Sequence, residues 1–301
     1  MTRTAQRALI ITTIVVAVGI MLFGWWLGSG HQLTSHATKF IAIGRLAGIV
    51  ATASVLLELL VMSRAPFIEK NFELEEINDF HRYNGYTMTY ALIVHILFLT
   101  LGYSITGHTN LWTQFWGFTN QFEDVLKAII GSVVFFTIAI FSMHAMRKRL
   151  PYEVWYFMHI LVYGGVILAF GHQVHAGSDV VTQKWMQLFW YGTYATVFLI
   201  LGYYRFMRPI FNYLRHGFVV DKIVEEADHI YSLYITGRSI ESFNYNAGQY
   251  AHWRFFNKEL WLEAHPFSFS SEPGAQFLRI TFKASGDFQS NYAIYGPERE
   301  F

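Results

Sequence analysis

Apolar residues in the first two thirds of this chain come in long blocks rather than in alternation. Six blocks, approximately 8–28, 40–62, 83–104, 125–146, 153–175 and 185–206, each match the roughly 20 apolar residues that a helix needs to cross a bilayer core of about 30 Å. The first block follows Arg3 and Arg7 in the manner of a signal peptide. It is too long for an h-region, however, and no A-x-A site follows it, so it is read as a retained span. Beyond Arg208-Pro209 the pattern changes. "HIYSLYITG" (229–237), "GQYAHWRFF" (248–256) and "FLRITFKAS" (277–285) alternate with period two between clusters of Gly, Asn, Ser and Pro, which predicts strands. The expected fold is an all-α transmembrane six-helix bundle over residues 1–210, followed by an all-β antiparallel barrel over 217–301.

Composition agrees with a membrane protein. Of 301 residues, 53% are hydrophobic and 14% charged, against about 25% charged in an ordinary soluble domain, and mean hydropathy is +0.28. A formal net charge of +1 gives no field for nucleic acid. The lack of cysteine excludes disulfides, iron–sulfur clusters and thiol catalysis. Arg3, Arg7, Arg64, Lys70, the "RKR" at 147–149, Arg205, Arg208 and Arg215 fall on one side of the six blocks, and only Lys39, Lys127 and Lys184 edge the other. The positive side is cytoplasmic, so both termini are expected in the cytoplasm. The loop 105–124, with Trp112, Phe115, Trp116 and Phe118, reads as an outer interfacial segment.

Histidine carries the candidate chemistry. "HRYNGYTMTYALIVH" (81–95) and "HILVYGGVILAFGH" (159–172) are apolar stretches bounded by histidine. One buried histidine is ordinarily a helix–helix hydrogen bond. Four in two spans mark a functional site, because ionisable groups at depth are costly and neutral imidazole is a haem ligand. Residues 14 apart lie about 21 Å apart along a helix and only about 40° apart around it, so His81 and His95 share a face. His159 and His172 are about 19.5 Å apart in height but about 140° apart around the axis. Gly164, Gly165 and Gly171 offer a place for a kink that would bring them into line. Two helices thus offer two ligands at each of two levels, suited to two bis-histidine haems.

The segments "FHRYNG…H" and "RKRLPYEVWYFMH…GH" resemble the third and fifth spans of the ferric reductase and NADPH oxidase superfamily of flavocytochromes. The resemblance implies an inner haem b on His81 and His159 and an outer haem b on His95 and His172. Arg45 and Arg64, at the two ends of the second span, read from the residues alone as interfacial anchors. By resemblance, Arg45 touches the outer-haem region, where the acceptor reacts, and Arg64 the inner-haem propionates. Glu58 is the most unusual acid in the spans and is read either as half of a structural pair or as a proton-handling group. Leu99 stands where oxidase members carry a further histidine, and Gly165 where some carry an aromatic residue between the haems. His31, His36, His108 and His175 are expected on the outer side, as scattered surface residues or as aids in holding a metal chelate. His144 is expected at an interface, and His216, His229 and His252 carry no evident chemistry.

A second resemblance lies in the strands. "AGQYAHWRF" (247–255), "HPFSFSS" (265–271) and "KASGDF" (283–288) resemble, in this order, the FAD-binding barrel of the ferredoxin-reductase type. This implies that His265, Pro266, Phe267 and Ser268 lie along the flavin ring. Lys283, Gly286, Asp287, Phe288 and Gln289 would face the pyrophosphate. The resemblance covers roughly 40–301, and no Gly-rich nucleotide fingerprint occurs in the chain. An NAD(P)H-binding lobe is therefore expected as a partner, in cis or in trans.

The function these features imply is transmembrane electron transfer in the cell membrane. Electrons would pass from cytoplasmic NAD(P)H through FAD and two haems b to an outer acceptor, either a ferric chelate or oxygen, the latter giving superoxide. The alternative is a cytochrome b subunit that exchanges electrons with quinol or a periplasmic enzyme, which explains the haems but not the HPFS barrel. A structural membrane protein with satisfied core histidines explains neither.

Overall fold

The structure, a computed structural model, describes residues 1–256 and 265–283, apart from the side chains of 144–145 and 152–153. It divides into two compact units, Met1–Arg205 and Phe206–Phe301.

The first unit is helical. In chain order it contains α1 (Arg3–Trp25, continued by a π turn, Trp26–Gly30), α2 (His36–Val61), the single turn α3 (Pro66–Glu69), α4 (Leu74–Gly107), α5 (Leu111–Gln121), α6 (Val125–Ser142), the single turn α7 (His144–Arg147), α8 (Tyr152–His175), the short α9 (Ser178–Val181) and α10 (Lys184–Leu201). Local signals set several starts. Ser35 and Thr38 form a capping box that opens α2, and Asn110 Oδ1 accepts from Thr113 N at 2.8 Å to open α5. Proline at the first position starts α3.

Among the described residues, five helices are long and apolar enough to cross a membrane: Arg3–Gly30, His36–Val61, Leu74–Gly107, Val125–Ser142 and Val154–His175. The sixth expected block is helical as α10 but falls outside this group, because tyrosine, tryptophan, threonine and glutamine dilute its apolar content. One face of α10 (Met186, Trp190, Tyr194, Val197, Leu201) is buried at helical spacing in a core shared with Met21, Leu56, Phe135 and Val166. Large apolar side chains point outward as well: Ile167 is 65% exposed, Leu188 67% and Leu199 73%. Such a surface suits hydrocarbon and would be a liability in water.

Small residues let the helices approach closely. A Cβ on Gly102 of α4 would lie 3.0 Å from Ala37 O of α2, and one on Gly44 of α2 would lie 2.9 Å from Leu99 N of α4. Glycine at both positions keeps the two backbones nearly in contact. A similar approach joins α6 to α8, where a Cβ on Gly131 would lie 2.9 Å from Gly165 O.

The second unit opens with a π turn whose residues, Gly202–Met207, straddle the boundary, then α11 (Arg208–His216), which ends at Gly217 with φ 52°. Among the described residues five strands follow: β1 (Val219–Ala227), β2 (Ile230–Thr236), β3 (Tyr250–Trp253), β4 (His265–Ser268) and β5 (Leu278–Lys283). All pairings are antiparallel, in a three-stranded sheet of order β1-β2-β5 and a two-stranded sheet β3-β4. A bridge between Phe269 and Ile280 links the two sheets. Leu233, Ile235, Leu278 and Ile280, each at most 2% exposed, form the centre of its core. Among the described residues these sheets do not close into the expected barrel.

Candidate functional site

The histidines of α4 and α8 meet at two levels. His81 and His159 have ring centroids 5.8 Å apart at 74° between planes. His95 and His172 are 6.4 Å apart at 53°. Two imidazoles bound on opposite sides of one metal, with metal–nitrogen bonds of about 2 Å, have centroids about 6 Å apart. The spacing therefore fits bis-histidine ligation at both levels. The 13-residue separation on α8 does not prevent this: the helix runs unbroken over Tyr152–His175, and both rings still reach α4.

Helix α2 orients the two α4 rings. His81 Nδ1 lies 2.6 Å from Glu58 Oε2. Asn84 Nδ2 donates to Glu58 Oε1 at 2.7 Å and to Ser54 O at 2.9 Å. At the other level, His95 Nδ1 lies 2.8 Å from Gly44 O. A backbone carbonyl only accepts, so Nδ1 carries the hydrogen and Nε2 is the ligating nitrogen. Glu58 thus has a structural partner, and that partner is a candidate metal ligand. Gly48 completes the fit, since a Cβ there would lie 2.5 Å from His95 Nδ1. On α8, the Nδ1 atoms of His159 and His172 are buried without a hydrogen-bond partner among the described residues.

A cavity of about 420 Å³ surrounds the upper pair, with His95, His172, Leu99, Tyr103, Arg45 and Gln173 on its wall. Its size and largely apolar lining suit a cofactor or small molecule. Gln173 Oε1 accepts from Trp190 Nε1 at 3.0 Å and from the Tyr194 hydroxyl at 2.8 Å, which fixes one wall. Arg45 donates to Ser29 Oγ at 2.7 Å and to the Tyr103 hydroxyl at 3.1 Å. Ser29 Oγ in turn donates to Asp179 Oδ1 at 2.7 Å, and Arg45 lies 3.8 Å from the same oxygen. Burial pushes the Asp179 carboxyl up, and the Ser29 hydrogen bond and the Arg45 charge partly offset that rise. Sequence reading did not single out Asp179 or Ser29.

Toward the other end, Arg64 is half-buried with φ 60°. Arg64 and Arg205 both lie within electrostatic reach of the Tyr163 hydroxyl, one turn beyond His159. Near the upper pair, His175 Nδ1 lies 2.7 Å from Asp124 Oδ2 and 3.9 Å from Glu123 Oε1. Lys127 holds the other Asp124 oxygen. The ligand atoms of Glu123, Asp124 and His175 all fall within 4.8 Å of one another. Several other described histidines make local contacts or sit at turns. His31 contacts Trp26 O at 3.0 Å, His216 contacts Arg238 O at 3.1 Å, and His108 and His229 sit at positive-φ turns.

In the sheet unit, the HPFS segment forms strand β4, paired with β3 so that Ser268 faces Tyr250 and His265 faces Trp253. Pro266 and Ser268 are exposed, whereas His265 and Phe267 are half-buried. Phe267 stacks on Phe282 at 5.3 Å in the sheet core. Burial lowers the His265 pKa, which favours a neutral ring. Pro266, Ser268 and Tyr250 share one exposed face of this sheet. Lys283 is exposed at the end of β5, while Gly286, Asp287, Phe288 and Gln289 lie outside the described residues.

Residues 47–170 match the family described as the ferric reductase like transmembrane component. Residues 223–299 match a family described as an FAD-binding domain. The first match includes His81, His95 and His159 and stops two residues short of His172. The chain is also similar to respiratory burst oxidase homolog protein H of Arabidopsis thaliana, with 21% identity over 260 residues. That similarity covers 76% of this chain and 28% of the relative's own length.

Proposed function

The chain belongs to the ferric reductase and NADPH oxidase superfamily, and from that premise we propose that it carries electrons across the cell membrane from cytoplasmic NAD(P)H to an outer acceptor. The observation that carries this reading is the pair of cross-helix histidine couples, 5.8 and 6.4 Å between rings, on one pair of spans. Bound FAD would supply the exchange between two-electron and one-electron chemistry, and two haems b the one-electron relay.

The residues of this chain hold, orient and insulate. His81 and His159 are the proposed ligands of the inner haem, and His95 and His172 those of the outer haem. Glu58 and the Gly44 carbonyl fix the tautomer of the α4 ligands, which keeps Nε2 toward the metal. Arg64 and Arg205 supply positive charge suited to the inner propionates. Pro266 and Ser268 offer a face to the flavin ring, and Lys283 a cation to its pyrophosphate. In this topology α10 is the sixth span and both termini are cytoplasmic. The NAD(P)H-binding lobe is a partner in cis or in trans.

His95 and His172 would hold a haem from both sides, and a haem held so would pass electrons to the acceptor at its edge, in the cavity beside Arg45. Two features favour a ferric chelate over oxygen. Leu99 supplies no proton donor, and the Arg45 charge is already paired with Asp179. The quinol-linked alternative does not account for an FAD-binding domain.

Purified protein should yield two non-covalent haems b per chain by the pyridine haemochrome assay, released by acid–acetone, and up to one FAD by fluorescence. One haem per chain would refute the two-level reading.

A further inference from the structure

The two histidine couples differ in one respect that bears on the direction of electron flow. The α8 members offer no comparable contrast: both have a buried Nδ1 without a hydrogen bond among the described residues, and His172 has only a neutral peptide carbonyl, that of Ala169, beside it. The α4 members differ. His95 donates to a neutral peptide carbonyl, whereas His81 donates to a side-chain carboxyl at 2.6 Å. With His81 ligating through Nε2, its Nδ1–H faces one Glu58 oxygen while Asn84 Nδ2 donates to the other, so both oxygens of that side chain face donors. A histidine whose distal N–H points at a carboxylate is a more basic ligand than one pointing at a carbonyl. A more basic ligand, with a negative charge behind it, favours ferric over ferrous iron.

Resting on the haem reading above, we propose that Glu58 sets the inner haem at a lower potential than the outer, making inside-to-outside transfer downhill. The step moves one electron, oxidising the inner ferrous iron as the outer ferric iron is reduced, with no bond or proton change. The Arg45–Asp179 pair near the outer couple is close to neutral and leaves the asymmetry intact. Arg64 and Arg205 oppose it from the inner side, but they act through space, while Glu58 acts through the ligand ring itself.

The test is a potentiometric titration of the haem-loaded full chain, followed by the haem absorption bands. It is run in the parent and in a His172→Ala background that retains only the inner haem. Glu58→Gln keeps an accepting oxygen and removes the charge. It should raise the inner potential by the equivalent of about a tenfold shift in ferric preference, about 59 mV for one electron, and leave the outer wave in place. Asn84→Ala should act in the opposite sense, because Glu58 then concentrates its acceptor strength on His81. This second variant serves where Glu58→Gln loses the inner haem, since general disruption would not produce shifts of opposite sign. An inner wave unmoved in both variants, or an inner wave lying above the outer one in the parent, would overturn the proposal. Absence of two haems in the parent protein would instead overturn the reading on which it rests.

Discussion

Arg45→Ala should destabilise the first unit more than Asp179→Ala, although the two residues form one pair. The Asp179 side chain is only 7% exposed, while that of Arg45 is 27% exposed. Removing Arg45 strands a buried carboxylate that keeps Ser29 as its single hydrogen-bond partner. Stranding one member of a buried pair costs about 3–5 kcal/mol. Removing Asp179 leaves a guanidinium with partial access to solvent and with Ser29 and Tyr103 still accepting from it. That loss is nearer the value of one charged hydrogen bond, about 1.5–3 kcal/mol. The double variant should fall short of the sum by about 1–3 kcal/mol, the usual coupling of residues in contact. Acidification should narrow the Arg45→Ala deficit. Burial raises the Asp179 pKa in the folded state, so protonation relieves the stranded charge as the pH falls through that raised value. Tryptophan fluorescence on heating in detergent ranks the four proteins, with the chain's nine tryptophans as reporters. An Arg45→Ala variant no less stable than Asp179→Ala, or an additive cycle, would refute the argument. The same asymmetry governs activity data, since loss of turnover in Arg45→Ala speaks to the acceptor only when Arg45→Ala/Asp179→Asn shows it too.

Either His95→Ala or His172→Ala should halve the haem content and leave the inner haem reducible by dithionite; complete loss of haem would contradict two independent levels. Gly48→Val should displace the His95 ring, because even a Cβ would lie 2.5 Å from its Nδ1, and the outer haem should be lost selectively, as read by haem-to-protein ratio. Lys127 and His175 hold the Asp124 carboxyl below the usual range, so this cluster stabilises the fold above the unfolded carboxyl pKa and loses that contribution as the pH falls through the lowered one. Asp124→Asn should therefore flatten the acid limb of a fluorescence-monitored unfolding profile, and an unchanged limb would count against the cluster.

Most of the helical unit was legible because a bilayer-length apolar block leaves little choice of structure. The strands at Ile230–Thr236 and Leu278–Lys283 followed from strict alternation, whereas Val219–Ala227, largely exposed and carrying Asp221, Lys222, Glu225 and Glu226, does not announce itself. The histidine levels were legible from spacing along the axis. The angular mismatch on α8 proved a poor guide, because ideal-helix arithmetic omits side-chain reach and the tilt between neighbouring helices. What sequence left undecided is tertiary. Ser29 meets Asp179 across 150 positions of chain, and Arg205 shares Tyr163 with Arg64 from the far end of the unit. Glu58 was conspicuous as an acid in a span, but only the fold supplies its partner.

The second helix works as a ruler. Gly44 and Glu58 are separated by the same fourteen positions as the histidines they engage, His95 and His81, and the two helices run in opposite senses. Any slide of α2 along α4 would therefore disturb both ligand contacts together, by one common distance. A single-residue insertion between Gly48 and Glu58 would do otherwise: it would turn the lower half of α2 by about 100° and advance it by about 1.5 Å. One contact would survive and the other would not. The register of α2 thus ties the two histidine levels to each other as firmly as the chain that bears the histidines does.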